Sequence, residues 1–490
     1  MITHVLAFYW LARSIFRAAG DRRQQPSKLN TRVRFLHPLQ FQSAEVFKWS
    51  GRGASALKQV MLILNALFLR HCPGPLPCGK ILLLTKMRGK LMPSKRLKVA
   101  IVGGGIGGLS AAIAMLRREI DVTVWEQADP LGEAGTGLTL FPNGRRQLER
   151  MQLGDALAEV GAKIGEGSGY YRMDGTFVSQ VVTTDSNGWN GIYGMHRADL
   201  LRVLVGGLPP TVVRSGHRCI GFEQSASFAQ LKFATGQTDT ADVVIAADGI
   251  QSSLQNYVVE PSTPEYSGSR AYRGLIAKDK VPEWPKEAHQ IWMGDGKHFM
   301  VYPVRSGRLL NYVGFVPTTT QTIESWSATG NREELAASFE GWDARVVGLL
   351  EKVETCFWWG LYDHRPLASW TKGRLALLGD AAHAMLPHVG QGANQAIEDG
   401  VALAVFLEGR DPAEISDVLR QYEAFRRERT DVVQAEARKQ GLRLDSRSGS
   451  LQTRDQEISR SAEFRRWLYD YDVEKAAIAY MTKCGNFVRA

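Results

Sequence analysis

A glycine turn between two apolar segments constrains the fold of this chain more than any other feature. Residues 99–102 form a short apolar run, and the following turn places Gly103, Gly105 and Gly108 in the spacing G-x-G-x-x-G. Residues 109–116 then show an apolar pattern with helical period. In such a unit the first glycine makes the tight turn, the second lets the backbone approach a pyrophosphate, and the third lets the helix pack on the strand.

Glu126 completes this pattern. It ends the next apolar strand, 18 residues after Gly108, where a carboxylate can accept hydrogen bonds from a ribose. A phosphate fits the helix N-terminus, because free N–H groups and the helix dipole favour negative charge there. Isolated G-x-G-x-x-G turns occur in other α/β proteins, but the flanking strands, helix and acid favour a dinucleotide site. The stretch alone leaves open whether the dinucleotide is NAD(P) or FAD.

Charge is unevenly distributed along the chain. Residues 1–98 contain 18 Lys and Arg against Asp21 and Glu45, whereas the remaining residues contain 42 Lys and Arg against 48 Asp and Glu. The body of the chain is therefore acidic, and we predict no nucleic-acid partner. No apolar run approaches the ~20 residues that span a bilayer, and the five cysteines lack zinc or redox spacing. We expect no integral membrane span, no metal site and a cytoplasmic location.

Residues 1–95 have two interpretations. Their Arg-rich, acid-poor composition is typical of a mitochondrial transit peptide or a membrane-surface helix. Alternatively, much of the segment is not part of the native mature protein, because Met92 begins MPSKRLKVAIVGGG, a compact start for a dinucleotide-binding domain. We favour the second interpretation, and mitochondrial targeting applies only if residues 1–91 are native.

Four further motifs follow the glycine turn. They are GTGLTLFPNG at 135–144, MHRADL at 195–200, ADVVIAADG at 241–249 and GDAAHAMLPHVGQGANQAIEDG at 379–400. In this order they resemble the single-component FAD-dependent aromatic monooxygenases, the group of salicylate hydroxylase and 6-hydroxynicotinate 3-monooxygenase. The resemblance covers roughly residues 97–475.

The resemblance implies that the dinucleotide is FAD. In this reading Asp380 accepts hydrogen bonds from the ribityl hydroxyls, and Pro387 makes a rigid loop that passes the isoalloxazine ring. Gly390, Gly392 and Ala393 bring backbone N–H groups and a helix start to the pyrimidine edge of the flavin. The remaining implied cofactor contacts are Gly137, Arg197, Asp248 and Gly249.

The resemblance also implies an activity, the hydroxylation of a salicylate-like phenolic acid by NAD(P)H and O₂ through a flavin C4a-hydroperoxide. The family usually has an Arg a few residues after its D-G motif, where this chain has Gln255. The choice between NADH and NADPH therefore stays open. Two alternatives remain: a flavin-dependent epoxidase or hydroxylase of a non-aromatic scaffold, and a catalytically silent flavin-fold binding protein.

Alternating strands between residues 266 and 315 predict an antiparallel sheet that forms the substrate-side wall. Ring attack is easiest when a phenol is deprotonated, so such hydroxylases often place a base near the phenol oxygen. The 6-hydroxynicotinate relatives have a His where this chain has Thr139, which cannot act as a base. Tyr272 and Arg273 face opposite sides of a strand. We expect Tyr272 and His298 to be catalytic, with Arg273 a further candidate for binding an acid.

We therefore predict an α/β protein, with a Rossmann-type FAD-binding domain interleaved with an antiparallel-sheet substrate domain and a helical C-terminus. The oligomeric state stays open. We also expect one helix over residues 331–350 with core aromatics, and a solvated face at Arg426, Arg427 and Arg429. The predicted segments are a basic extension (1–95), the first FAD-binding part (96–265), the substrate sheet (266–368), the second FAD-binding part with a long helix (369–440) and a helical tail (441–490).

Overall fold

The computed structural model of this protein describes residues 96–129, 135–260, 264–319, 328–446 and 451–484. The basic extension predicted over 1–95 lies outside the described residues. Within the described ranges, every helix is too short or too polar to cross a bilayer.

The strands of the described chain form four sheets. In chain order they are β1 Lys98–Val102, β2 Asp121–Trp125, β3 Gly137–Leu140, β4 Ala162–Lys163, β5 Gly169–Arg172, β6 Phe177–Gln180, β7 Tyr193–His196, β8 Val213–Arg214, β9 Cys219–Gln224, β10 Ala229–Phe233, β11 Thr238–Ala241, β12 Val243–Ala246, β13 Glu265–Ala277, β14 Gln290–Gly294, β15 Lys297–Val304, β16 Leu309–Pro317, β17 Ala328–Thr329, β18 Phe357–Asp363, β19 Thr371–Lys372 and β20 Leu375–Leu377.

The described helices concentrate in the C-terminal third. They are α1 Ile106–Leu116, α2 Pro142–Arg150, α3 Gly154–Val160, α4 Arg197–Gly206, α5 Arg332–Ser338, α6 Ala344–Leu350, α7 Asp380–His383, α8 Gly392–Leu407, α9 Ile415–Leu444, α10 Leu451–Asp470 and α11 Val473–Lys483. Short 3₁₀ turns lie at Gln255–Tyr257, Lys278–Lys280, Pro387–Val389 and Pro412–Glu414.

The six-stranded sheet carries the glycine turn and has the order β19-β20-β12-β1-β2-β8. All neighbours in it are parallel except the edge pair of β19 and β20. β12 and β20 are buried along their whole length, as strands covered on both faces must be. The predicted succession of β1, turn, α1 and β2 is therefore confirmed, and α8 packs against α1 beside this sheet.

The eight-stranded sheet has the order β17-β18-β13-β16-β15-β14-β5-β6. Its pairs are antiparallel except β5 with β14. The predicted antiparallel sheet is thus confirmed, but it also takes in β5 and β6 from residues 169–180. The boundary expected at residue 265 therefore does not separate the two sheets, because the pairing of β5 with β14 spans more than 100 residues and leaves no local pattern.

The two faces of the eight-stranded sheet have different coverings. Its outer face, which carries Tyr272 and Phe299, packs against α5 and α6. Its inner face, which carries Ala271 and Phe315, shares a core with Leu386 and with residues of α9 and α10. The inner face therefore lies against the segment that contains the Pro387–Val389 turn.

The helix expected over residues 331–350 is two helices, α5 and α6. Gly341 adopts a positive φ of 74° between them, and the Asp343 side chain accepts a hydrogen bond from the Arg345 N–H to start α6. The aromatic residues Phe339 and Trp342 are buried, as predicted, in the core under the outer face.

Candidate active site

The glycine turn after β1 has the geometry that its spacing predicts. Gly103 has a φ of +109°, and a Cβ on it would lie 2.2 Å from the Ala247 carbonyl oxygen. A Cβ on Gly108 would lie 2.1 Å from the Gly103 oxygen, whereas one on Gly105 would meet no atom within 4 Å. Close packing therefore requires glycine at 103 and 108, and Gly105 opens onto free space where α1 begins.

Glu126 lies directly beside this turn. Its Oε2 accepts a hydrogen bond of 2.6 Å from the Gly104 N–H, and its Oε1 accepts one of 2.7 Å from the Ala128 N–H. The carboxylate is half-buried. Its position is thus set by the backbone on both sides, and its further lone pairs can accept bonds from a ligand.

The Asp248-Gly249 segment follows β12 and adjoins the glycine turn. Asp248 Oδ2 accepts a 3.0 Å bond from the Ser253 N–H, while the buried Oδ1 has no partner among the described residues. Burial raises the pKa of this carboxyl. Gly249 adopts a positive φ of 81°. Gln255 Nε2 donates to the Ala381 carbonyl oxygen at 2.9 Å, which ties this segment to the Gly379–His383 stretch.

Asp380 is the first residue of α7, after Gly379 in a positive-φ conformation. Its side chain is exposed, yet the protein around it desolvates the carboxyl enough to raise its pKa, which indicates a recessed position. A Cβ on Gly392 would lie 3.7 Å from Asp380 Oδ1. The carboxylate and the start of α8 are therefore neighbours.

The stretch between α7 and α8 brings backbone to the same recess. The 3₁₀ turn at Pro387–Val389 ends at Gly390, whose φ is +67° and whose added Cβ would lie 2.9 Å from a Phe141 ring carbon. α8 begins at Gly392, and no side chain caps its N-terminus. The N–H groups of its first turn, including that of Ala393, are therefore available to an anionic or carbonyl ligand.

Gly137 and Arg197 lie at the junction with the eight-stranded sheet. The Gly137 N–H donates a 2.7 Å bond to Asn311 Oδ1 of β16. Arg197 begins α4 with an exposed side chain. Burial raises the pKa of Asp380 and lowers that of Arg273 to about 10, and the Arg197 charge shifts both downward. Arg197 therefore lies near both groups.

A buried charge cluster lies behind the Asp380 turn, and we call it the α8–α9 cluster: Glu398, Asp399, Arg426, Arg429 and His383. Arg426 and Arg429 are buried, so the predicted solvated face of α9 is wrong for these two residues. Helical spacing alone could not show that α8 presents two carboxylates to them. Of the three arginines, Arg427 is nearest to the predicted solvated environment. It is half-buried and donates hydrogen bonds to Glu423 and to the Leu367 oxygen.

Asp399 links α7, α8 and α9 within the α8–α9 cluster. Its Oδ2 accepts bonds from the Gly379 N–H at 2.9 Å and from His383 Nε2 at 2.6 Å, and its Oδ1 accepts from Arg426 Nε at 2.8 Å. Burial opposes its ionisation, but the His383 and Arg426 charges outweigh burial and lower the pKa of Asp399 to about 2. Because Asp399 holds both ends of the Gly379–His383 turn, it fixes where Asp380 points.

Glu398 satisfies the other half of the α8–α9 cluster. It accepts bonds from Arg426 Nη1 and Arg429 Nε, each at 2.8 Å, and from Asn143 Nδ2 at 2.7 Å. Neighbouring Asn394 bonds to the Phe141 N–H at 2.9 Å and to the Thr139 oxygen at 3.0 Å. The start of α8 is thereby tied to the β3–α2 segment.

The structure places Tyr272 and Arg273 on opposite faces of the eight-stranded sheet, and Tyr272 does not lie on the face that meets the Pro387–Val389 turn. Tyr272 lies on the outer face, fully buried among Phe299 and Phe339 under α5, and burial raises the pKa of its hydroxyl. Arg273 lies on the inner face, buried, with its guanidinium 4.2 Å from the Trp359 ring centroid. The alternation of side chains along β13 puts the two residues on opposite faces of the sheet. The sequence does not show which of these faces is covered by the helices α5 and α6.

His298 lies on the inner face, stacked on Phe315 with ring centroids 4.0 Å apart. Its Nδ1 is 2.6 Å from Asp445 Oδ1 at the end of α9. Its Nε2 is buried and has no partner among the described residues. The His388 ring from the Pro387–Val389 turn lies 5.3 Å away, with burial and the His298 charge lowering the pKa of His388.

Comparison with known proteins identifies a family match and several similar proteins for this chain. The FAD binding domain family matches residues 96–437. The 3-amino-4-hydroxybenzoate 2-monooxygenase of Streptomyces platensis is 34% identical over 77% of this chain and 97% of its own length. Salicylate hydroxylase of Pseudomonas putida is 31% identical over 77% and 93%. A solved salicylate hydroxylase substrate complex superposes with a TM-score of 0.69, at 27% identity, over 79% of this chain and 98% of that one.

The chain belongs to the FAD-dependent aromatic monooxygenase family. It is an FAD-dependent monooxygenase, and the resemblance in sequence is confirmed. The recess of this monooxygenase fits FAD: Gly105 opens onto free space, the start of α8 has no side-chain cap, and Asp248 Oδ1 is buried without a partner among the described residues.

Two features of this monooxygenase escaped sequence reasoning. The first is His388, which lies in the Pro387–Val389 turn and faces His298, whereas His383 contacts Asp399. Within the described ranges, no group of three or more His, Cys, Asp or Glu could hold a metal. The second is Asp445, whose contact with His298 spans 147 residues and leaves no local pattern in the sequence.

Tyr302 also escaped sequence reasoning, although a signal was present. It alternates with His298 along β15, so both side chains share the inner face. Burial raises the pKa of its hydroxyl, and the nearby Thr139 and Asn311 side chains oppose this effect. Thr139 is therefore a buried residue that lies near a tyrosine of the sheet.

Proposed function

We propose that this monooxygenase hydroxylates a phenolic aromatic acid, with NAD(P)H and O₂ as co-substrates. The observation that carries the proposal is the inner face of the eight-stranded sheet, where Arg273 and His298 lie beside aromatic rings and opposite the Pro387–Val389 turn. A guanidinium binds a carboxylate with good geometry, an imidazole can bond to a phenol oxygen, and the rings supply apolar contact with an aromatic substrate.

The same proposal assigns the ADP end of FAD to the glycine turn. Gly103 and Gly108 shape the turn, and Gly105 leaves space for the pyrophosphate at the start of α1. Glu126, held by the Gly104 and Ala128 N–H groups, accepts bonds from the ribose. In this proposal the adenosine half of the cofactor lies beside the six-stranded sheet.

The flavin end is assigned to the recess between α7 and α8. Asp380 accepts bonds from the ribityl hydroxyls, Pro387 stiffens the loop along the ring, and Gly390, Gly392 and Ala393 present backbone to its pyrimidine edge. When bound, FAD accepts a hydride from NAD(P)H and transfers one oxygen atom of O₂ to the ring, while the other leaves as water. Further proposed contacts are Gly137, Arg197, Asp248 and Gly249.

Substrates of the relatives support the choice of acid. The relatives are named for 3-amino-4-hydroxybenzoate, salicylate and 6-hydroxynicotinate. Each of these compounds carries a ring hydroxyl and a ring carboxylate. A buried cation and a histidine on one sheet face match those two groups.

A substrate panel tests the proposal. The FAD-loaded enzyme is given salicylate, 4-hydroxybenzoate, 3-amino-4-hydroxybenzoate or 6-hydroxynicotinate with NADH or NADPH. We expect at least one acid to stimulate NAD(P)H oxidation and O₂ uptake and to yield a product heavier by one oxygen atom. Stimulation without product identifies an uncoupling effector. If no acid stimulates, the proposal is wrong, and epoxidation, a non-aromatic substrate or a silent binding protein takes its place.

The same panel tests the choice between NADH and NADPH, which depends in part on Gln255. Its side chain is neutral and donates to the Ala381 oxygen, so it supplies no positive charge for a 2′-phosphate. The ratio of kcat/KM for NADH and NADPH measures how far other residues supply that charge.

We also propose a cytoplasmic location. Cys219, Cys356 and Cys484 are free thiols in the described chain, which fits a reducing compartment. Fractionation of cells that express the native gene tests this location.

A further inference from the structure

We infer that His298 is the base that takes the phenolic proton of the substrate, and that Asp445 is the positioning residue that holds it. The inference rests on the proposed function and names the group that prepares the substrate for ring attack. Phenolate formation matters because it raises the electron density of the ring before oxygen transfer. Thr139 stands where relatives carry a His, so this chain needs a base from another element.

The contact with Asp445 sets the tautomer of His298. An ionised carboxylate can only accept hydrogen bonds. The 2.6 Å contact therefore places a proton on Nδ1, and the lone pair of a neutral ring lies on Nε2. Stacking on Phe315, with an interplanar angle of 14°, fixes the plane of the ring. A base oriented by a carboxylate in this way can accept a proton at one defined atom.

The Nε2 nitrogen of His298 is buried and its hydrogen-bonding capacity is unused. Nε2 has no partner among the described residues, although the side chain is 0% exposed. A buried polar atom without a partner costs about 1–3 kcal/mol, which a bound phenol hydroxyl would recover. The Pro387–Val389 turn, proposed to pass the flavin, lies on the same side through His388.

Among the described residues, the contacts of His298 come from the end of α9, the Pro387–Val389 turn and the two paired strands. Asp445 contributes a carboxylate from α9, and His388 contributes a second imidazole from the turn. The paired strands β14 and β16 contribute Met293 and Phe315, which do not titrate. Because burial and His298 lower the pKa of His388 well below its ordinary range, His388 stays neutral and does not compete for the proton.

The proton step balances without a co-reactant. The phenol O–H bond breaks, an N–H bond forms at Nε2, and the electron pair stays on the phenolate oxygen. The imidazolium that results is stabilised by Asp445 through the Nδ1–H group. Oxygen transfer then belongs to the flavin chemistry already proposed.

A spectral titration tests the base without turnover. The probe is 4-hydroxy-3-nitrobenzoate, whose phenolate absorbs visible light, added to the FAD-loaded full chain without NAD(P)H. In the wild type we expect the bound probe to ionise at a lower pH than the free probe. We expect His298→Asn to abolish this lowering and Asp445→Asn to reduce it. Asp417→Asn, an exposed carboxylate on the same helix, is the control and should match the wild type.

The titration has outcomes that overturn the inference. A wild type that binds the probe without lowering its ionisation pH overturns it, and so does a His298→Asn variant that titrates like the wild type. A wild type that binds no probe overturns both this inference and the acid site. FAD content, read from flavin absorbance, shows that each variant is folded. If the bound probe ionises at a lower pH than the free probe but no panel acid stimulates turnover, the proposed function is refuted, whereas the inference that His298 is a base stands.

Turnover gives a second test with the panel acid that yields product. We expect His298→Asn to lower kcat about 10²-fold, with a smaller deficit for ring-fluorinated analogues, because a more acidic phenol needs less help from a base. Asp445→Asn should lower kcat at unchanged KM, and Asp445→Glu should restore part of the loss. A deficit that is the same for every analogue would show a merely structural role and overturn the inference.

Discussion

Two histidine–aspartate pairs share a 2.6 Å contact but differ in what surrounds them. In the α8–α9 cluster, His383 meets Asp399, whose other bonds go to Gly379 and Arg426. On the inner face, His298 meets Asp445 at a helix end, and its Nε2 has no partner among the described residues. Each histidine keeps one ring nitrogen without a partner among the described residues, so the pairs differ in the carboxylate: Asp399 is fully buried and bonded on both oxygens, whereas Asp445 is partly exposed at the end of α9.

Arg426 in the α8–α9 cluster and Arg273 on the inner face differ in how their surroundings shift the pKa of the guanidinium. Two carboxylates overcome burial and raise the pKa of Arg426. Burial lowers the pKa of Arg273 to about 10, against a small opposing effect of Tyr302. Arg426 is therefore a structural group, whereas Arg273 lies on the sheet face that we propose for substrate binding. The contrast teaches that the surroundings of a charged side chain, more than its residue type, separate structural from chemical roles.

The largest expected effect lies in the α8–α9 cluster. Arg426→Met leaves two buried carboxylates without their shared partner, and we expect a loss of about 3–5 kcal/mol in unfolding free energy. Urea denaturation of the apo and FAD-loaded forms measures it. Arg420→Met, an exposed position on the same helix, should cost less than about 1 kcal/mol. A similar loss for both variants would break the comparison.

One substitution at two positions sharpens the comparison. His383→Asn should cost about 1–3 kcal/mol of stability and weaken FAD binding, because Asp399 then holds the Asp380 turn less firmly. His298→Asn should leave the thermal midpoint and FAD content close to those of the wild type while kcat falls about 10²-fold. Differential scanning fluorimetry and flavin absorbance separate the two outcomes. If His298→Asn loses FAD as His383→Asn does, both pairs are structural.

The third effect concerns the two faces of the eight-stranded sheet. Arg273→Met removes a charged hydrogen bond worth about 1.5–3 kcal/mol, so Kd for the panel acids should rise about 10- to 100-fold. Affinity for the matching phenol without a carboxylate should not change. Tyr272→Phe, on the outer face, is the control and should leave Kd unchanged. Flavin absorbance titration measures each Kd, and equal weakening by both variants would contradict the assignment of faces.

The smallest effect is a pH dependence of stability. Because the folded-state pKa of Asp399 is lowered to about 2, its contribution is full above the unfolded pKa and is lost as pH falls toward 2. We expect unfolding free energy to drop by about 1 kcal/mol between pH 4 and pH 3. Asp472, whose pKa is also lowered to about 2, contributes in the same range. Denaturation of Asp472→Asn, which keeps a capping side chain, removes the Asp472 contribution, and a flat profile in that variant would contradict the prediction.

The cofactor side of this site could be read from the sequence because its signals are local. Gly103, Gly108 and Glu126 lie within 24 residues, and the structure gives each glycine the close contact that the spacing predicts. The substrate side could not be read in the same way. Alternation placed Tyr272 and Arg273 on opposite faces, but the covering of the outer face by α5 and α6 depends on distant packing.

The sequence by itself determined the family, the FAD cofactor and the two sheets, because turn spacing and strand alternation act over a few residues. Tertiary structure alone decided which charged side chains are buried and which residues they bond to. Arg426 looks solvated on an isolated helix, yet α8 buries it between two carboxylates. His298 gains Asp445 from 147 residues away. Burial and partnership are set by contacts between distant segments, and they determine what a charged side chain does.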